Sequence, residues 1–347
     1  MKKVGLNELW LNVFSEGVCR VPVPTGAIGA RITPPPDGAG DVLAEAVRAT
    51  RGSGIRIFAS LDLLAWGAQT PADLQERTIL GETEKEAGAR QEIQGAALPG
   101  GSIPTTAAVS PFAPSVRTAL RSLVQSLAAQ PGLAGIVWRE TVPPGYEKDV
   151  DGQQGPEFGY ATDARLAFLR RTHMDPLDVP IQNRVQANTS LPEFSSVGEE
   201  TALSAEWDKF RLGGDVAFLH GLADLWASGG ARRPVLVRQR RPTWGDDWFG
   251  SWDGPAKPLP TYHVSWEAVD SGPSYPEASD AQAKLTSQTA LLRLSSGSAS
   301  SREALADELT RSLVGKRWDG FVLDLTPDAR PGDLLAGLTP KPAPAAK

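Results

Sequence analysis

The sequence predicts an α/β protein, a (β/α)8 TIM barrel with long βα loops. Two observations carry that prediction. Short apolar runs bounded by glycine, proline and polar breakers recur along the chain with helical patterns between them, the signature of a parallel sheet. The chain is also 347 residues long, which suits one large barrel, a fold that commonly runs to ~250 residues or more. The barrel is read over residues 1–338, with 339–347 as a Pro/Ala-rich tail, PKPAPAAK from Pro340.

Taken in order, the first strand is Glu8–Phe14 and a Gly/Pro-rich excursion leads to a helix over Asp41–Thr50. The second strand is Ile55–Leu61, followed by a long acidic and glycine-rich loop from Asp62 to about Thr106. Ala107–Ser110 is read as a short third strand, and Pro111 leads into a helix over Pro114–Ala129. Val116, Leu120, Leu123, Val124 and Leu127 lie on one face of that helix, and proline at its first turn costs no hydrogen bond. Ala134–Arg139 is the fourth strand. The segment Phe158–Val179, FGYATDARLAFLRRTHMDPLDV, then reads as an amphipathic helix that ends where Pro176 cannot continue it. A second long helix spans Glu206–Ser228, with Gly213-Gly214 weakening its centre. Strands five to eight are Pro234–Gln239, Tyr262–Val269, Ala290–Leu294 and Gly320–Leu325, with a helix over Ser301–Val314 before the last.

Composition excludes several functions. The net charge is −6 and no basic stripe runs along the chain, which argues against nucleic acid as a partner. No window reaches the ~18 consecutive apolar residues of a membrane span. Cys19 is alone, so no intrachain disulfide forms. His173, His220 and His263 are far apart and in no metal-ligand spacing, which disfavours a zinc or di-metal hydrolase and leaves a carboxylate-only site for a hard cation as the alternative; no cofactor is expected. Met1-Lys2-Lys3 is followed by a segment too polar for the core of a signal peptide.

In a parallel barrel, chemistry sits at the C-terminal ends of the strands. The polar residues there include Asn12 and Glu16 after strand one, Asp62 after strand two, and Arg139 with Glu140 after strand four. Strand five contributes Arg238, Gln239 and Arg240, strand six Glu267, and strand eight Asp324. Carboxylates from different strands meeting at one mouth are what glycosidic hydrolysis needs, one protonated to serve the leaving oxygen and one ionised. Glu140, Asp62, Glu267 and Asp324 are therefore the candidate catalytic residues. The alternative for each is an N-cap or a salt-bridge partner.

The tryptophans point to substrate. Trp66, Trp138 and Trp266 fall on or just past strands, and TWGDDWFGSWD sets Trp244, Trp248 and Trp252 among Asp246, Asp247 and glycines. Sugar rings stack on such aromatic faces; equally, indoles pin long loops while keeping a polar N–H wet. Arg139, Arg238 and Arg240 would orient carboxylates or bind an anionic sugar substituent.

The phrases GLNELWLNVF, GIVWRE and FGYATDARLAFLRR…DPLD, together with the helix beginning at Trp207, resemble a bacterial family of glycosyl-hydrolase-like TIM barrels. These are relatives of the barrel that cleaves partly deacetylated poly-N-acetylglucosamine. The resemblance implies a polysaccharide or oligosaccharide partner, glycoside hydrolysis, and an exported or cell-envelope location. In those relatives an aspartate commonly ends strand four. Here Arg139 holds that register, with Glu140 one place later, so a catalytically inactive carbohydrate-binding or scaffold barrel is the alternative expectation.

Overall fold

The computed structural model describes residues 7–22, 41–67, 69–93, 106–139, 158–178, 198–229, 235–239, 262–269, 288–295 and 320–324. The protein is α/β. Strand β1 (Glu8–Glu16) turns back antiparallel into the short β2 (Val18–Cys19). The turn places Glu16 at φ 53° and Gly17 at φ 73°, the left-handed pair that a two-residue hairpin requires. Beside it, Gly67 lies so close that a Cβ would stand 2.5 Å from the Glu16 carbonyl oxygen.

The sheet then continues in parallel. β1 pairs with β3 (Arg56–Gly67), β3 with β5 (Gly135–Arg139), and the order runs on through β6 (Val235–Gln239), β7 (Tyr262–Val269), β8 (Gln288–Ser295) and β9 (Gly320–Asp324). Ala107–Ser110 departs from its expected role. Residues Thr106–Ala108 form β4, which pairs antiparallel with the far end of β3 and stands off the parallel path. The slot beside β3 is taken by β5, in register from Phe58↔Gly135 to Asp62↔Arg139. The described strands β1, β3, β5, β6, β7, β8 and β9 are therefore the parallel set.

Alternation along these strands separates two faces. Ile57, Ala59, Leu61 and Leu63 of β3, with Ile136 and Trp138 of β5, join a core shared with two helices. One is α3 (Pro114–Ala128), which contributes Val116, Leu120, Leu123, Val124 and Leu127. The other is the long α5 (Gly198–Ser228), which contributes Leu219, Leu222 and Trp226. Helix α1 (Val42–Thr50) adds Leu43, and the Asp41 side chain caps it by accepting from the Ala44 N–H at 2.9 Å. The opposite face carries Phe58, Ser60 and Asp62, then Val137 and Arg139.

Helix α2 (Glu84–Ile93) lies inside what the sequence presents as loop. EKEAGARQEI has no apolar stripe to announce it. A reciprocal cap starts it: the Thr83 N–H donates to Glu86 at 2.7 Å, and the Glu86 N–H donates to the Thr83 hydroxyl at 3.3 Å. Helix α4 (Thr162–Thr172) ends with His173 in the left-handed region, φ 62°. It packs Phe168 and Ala164 on Trp207 of α5 in a second, aromatic core with Tyr160, Phe112 and Phe210. The helix expected over 301–314 and the tail from 339 lie outside the described residues.

The two glycines at the centre of α5 have opposite roles. A Cβ on Gly213 meets nothing within 4 Å, whereas one on Gly214 would stand 2.2 Å from the Phe112 ring. Gly213→Ala is expected to stabilise by up to ~1 kcal/mol through helix propensity alone. Gly214→Ala is expected to lose about 1–2 kcal/mol, because overpacking exceeds that gain. Urea denaturation of the two variants side by side checks the difference in sign.

Candidate functional site at the strand ends

The site is built by the register. Asp62 pairs with Arg139, the last residue of β5. Val137 pairs with Leu236, so position 238 falls on the same alternation as Arg139. Arg238 pairs with Ser265, and Glu267, two residues on, pairs with Leu291. Ser295, four residues beyond Leu291, pairs with Asp324, the last residue of β9. Positions 62, 139, 238, 267 and 324 thus share one alternation on five parallel strands, in the middle of β3 and toward the C-terminal ends of β5, β6, β7 and β9.

Two of the five have described side chains, and they bind each other. The Arg139 guanidinium donates from Nε to Asp62 Oδ1 at 2.7 Å and from Nη2 to Oδ2 at 3.3 Å. This is a bidentate fork, and the two side chains are 21% and 11% exposed, so solvent weakens it little. Below it on the same face, the Ser60 hydroxyl and Asn12 Oδ1 are buried and meet no hydrogen-bond partner. The fork fixes the position of the Asp62 carboxylate, which suits a positioning role.

Trp66 and Trp138 are core residues rather than the sugar-stacking surface expected of them. Both are fully buried. Trp66 meets Phe14 edge-on, with ring centroids 5.8 Å apart, and its indole N–H donates to the Leu63 carbonyl at 2.9 Å. Trp138 falls on the alternation that faces the helices, in register with Leu61 and Val237. Neither ring has a free face. Trp266 occupies that same helix-side alternation, paired with Gln239 and Ala290. Cys19 is buried, and burial pushes its thiol up, away from a reactive thiolate.

Glu140, Arg240, Trp244, Asp246, Asp247, Trp248 and Trp252 lie outside the described residues. Among the described residues there is no group of three or more His, Cys, Asp or Glu side chains that could hold a metal ion. No described helix is long and apolar enough to cross a membrane.

The sequence reading missed one charged group altogether. Glu76, Arg211 and Asp215 are all buried. Asp215 sits one helical turn after Arg211, an acid–base pair in a largely apolar stretch of α5, and that spacing was the available signal.

No family model and no curated protein matches the sequence. Solved structures share its fold, and glycoside hydrolases are among them. One is the PgaB (BpsB) glycoside hydrolase domain from Bordetella bronchiseptica, with a TM-score of 0.55 and 14% identity over 96% of this chain and 86% of that one. Another is alpha-L-fucosidase isoenzyme 2 from Paenibacillus thiaminolyticus, with a TM-score of 0.50 and 14% identity over 97% of this chain. The match covers 44% of the fucosidase chain, so the present chain corresponds to less than half of that protein. At this identity the likeness is one of fold.

Proposed function

We propose that the chain closes into a (β/α)8 barrel and acts on a polysaccharide as a glycoside hydrolase by carboxylate general acid–base catalysis. The observation that supports the reading is the register, in which positions 62, 139, 238, 267 and 324 share one alternation on five parallel strands, in a fold shared with a glycoside hydrolase domain. Asp62 is committed to Arg139. The acid–base pair is therefore drawn from Glu140, one residue past the end of β5, with Glu267 or Asp324 as the ionised partner. Glu140 is the proton donor. Arg238 and Arg240 hold an anionic or polar substituent of the sugar. Trp244, Trp248 and Trp252, with Asp246 and Asp247, form the stacking and hydrogen-bonding wall.

Partly deacetylated poly-N-acetylglucosamine is the substrate to test first, given the family that the sequence phrases resemble. Glu140→Gln is expected to lower the rate of reducing-end release by ~10²-fold or more while leaving binding intact, the usual scale of acid catalysis. Unchanged turnover would remove Glu140 from the mechanism.

The Asp62–Arg139 fork favours a second reading, a barrel that binds glycan without cleaving it, because an ion pair occupies the place where the relatives keep an aspartate. Under that reading the wild-type protein releases no reducing ends, and Trp248→Ala still weakens glycan binding, read as loss of tryptophan fluorescence quenching.

A further inference from the structure

Two buried polar atoms on the sheet face opposite the helices have nothing to bond. Asn12 of β1 and Ser60 of β3 are register partners on neighbouring parallel strands. Asn12 Oδ1 and the Ser60 hydroxyl are both closed off from solvent, and neither has a hydrogen-bond partner, not even the other. Ser60 is 2% exposed. On its other flank it meets Val137 of β5, whose side chain offers no hydrogen bond. The chain that leaves β3 is pinned elsewhere, with Gln75 bridging to Val109 and Thr78 to Phe158. A buried polar group without a partner is costly to fold. Where a native protein keeps one, a functional role or a bound water or ion is the usual account.

The surroundings form a graded recess. One alternation step toward the C-terminal ends stand Asp62 and Arg139, whose side chains are 11% and 21% exposed, so solvent reaches the fork. One step the other way stand Trp10 and Phe58, also register partners, with Phe58 fully buried. Asn12 and Ser60 thus lie between an ion pair that solvent reaches and an aromatic floor. Strand β1 is irregular directly after Asn12, where the register passes from Asn12↔Ser60 to Phe14↔Leu61. Irregularities of this kind re-aim side chains and gather next to binding and active sites. Neighbouring strands lie about 4.8 Å apart, so one small group seated between the two side chains can bond both.

We propose that Asn12 and Ser60 form a subsite for one neutral sugar hydroxyl, an inference that rests on the glycan-binding reading above and deepens it. A hydroxyl has one proton to donate and lone pairs to accept with. Its proton goes to Asn12 Oδ1, which can only accept, and its oxygen takes the Ser60 proton. Among the described residues the recess carries no net charge, because the Asp62 and Arg139 charges offset each other and Asn12 and Ser60 are neutral. An anionic substituent would meet the Asn12 carbonyl oxygen, and a cationic one the Arg139 guanidinium. Neither orphan atom is open to solvent, so the hydroxyl enters as Arg139, the long side chain at the outer end, moves aside. A site built to hydrogen-bond a hydroxyl rejects the analogue lacking it, since its buried polar groups are then left unpaired. The subsite therefore selects a sugar ring with a free hydroxyl at one position over the same ring with hydrogen there.

The test measures calorimetric affinity for a partly deacetylated N-acetylglucosamine oligosaccharide, together with melting temperature, in the wild-type chain, Ser60→Ala and Asn12→Leu. Each variant is expected to bind about tenfold more weakly, the scale of one neutral hydrogen bond. Each is expected to melt no lower than the wild type, because the atom removed has no partner in the free protein. Ser60→Ala removes a single oxygen and carries the test should Asn12→Leu fail to fold. Monodeoxy analogues of the same oligosaccharide give the specific readout. One deoxy position should weaken binding to the wild type and cost nothing further in Ser60→Ala. If the wild type binds the oligosaccharide and no deoxy position couples to Ser60, the subsite is overturned while the glycan reading stands. A Ser60→Ala chain that melts lower and binds as the wild type does shows a hydroxyl serving the fold, and overturns the subsite as well. If the wild type binds no oligosaccharide, the glycan reading falls and the subsite with it.

Discussion

Trp138→Ala should cost about 3–5 kcal/mol of stability, the range for truncating a large aromatic in a close-packed core. The indole is fully buried on the helix-side face of β5, in register with Leu61 of β3 and Val237 of β6. It belongs to the cluster that joins the sheet to α3 and α5. The cavity would open at the centre of the layer between sheet and helices, where backbone on both sides is already fixed by hydrogen bonding and cannot collapse inward. Chemical denaturation is the measurement. A loss below about 1 kcal/mol, the scale of a surface substitution, would mean that Trp138 is not the keystone its burial indicates.

The second large effect concerns the ion pair. Asp62→Ala leaves the Arg139 guanidinium partly buried without its bidentate partner, and about 2–4 kcal/mol of destabilisation is expected, somewhat below the 3–5 kcal/mol for fully buried pairs. Arg139→Ala strands the carboxylate instead and should cost a similar amount. Replacing both at once, Asp62→Leu with Arg139→Met, is expected to recover most of the loss, because an apolar pair of similar volume carries no desolvation cost. The double-mutant cycle in urea reads the coupling between them. If the double variant folds well but loses glycan affinity, the fork serves recognition at the strand ends rather than stability. A cycle with no coupling would contradict the geometry of the 2.7 Å contact.

Much of the architecture is legible from periodicity, and the reasons are particular. β7 is a continuous run, YHVSWEAV, with the expected bounds Tyr262–Val269. Helix α3 has an apolar stripe and proline at its start, and it appears where the pattern puts it. What periodicity misses is held by polar contacts or by pairing partners remote in sequence. Helix α2 has no apolar face and owes its start to the Thr83–Glu86 exchange. The direction of β4 follows from pairing with Ala65–Gly67 rather than from its own three residues. At the candidate site, sequence order puts Arg139 at a strand end but ends β3 at Leu61, just before Asp62 and short of Gly67, and cannot join residues 77 positions apart into a fork. The tryptophans show the same limit. Their positions near strand ends are legible, but alternation alone sends Trp138 to the helix side and Arg139 to the other.

The tie between Thr78 and Phe158 also bears on the order in which this protein assembles. The β1–β2 hairpin and the helical turns close over a few residues and cost little chain entropy to start. The Gln75–Val109 and Thr78–Phe158 bridges join stretches far apart along the chain, and neither offsets its closure entropy until β3, β4 and β5 have found one another. These bridges are therefore among the last contacts to consolidate and, by the same reasoning, among the first to open. The sheet and its helices form a scaffold that matures early, while the chain between β3 and α4 depends on a few long-range clasps.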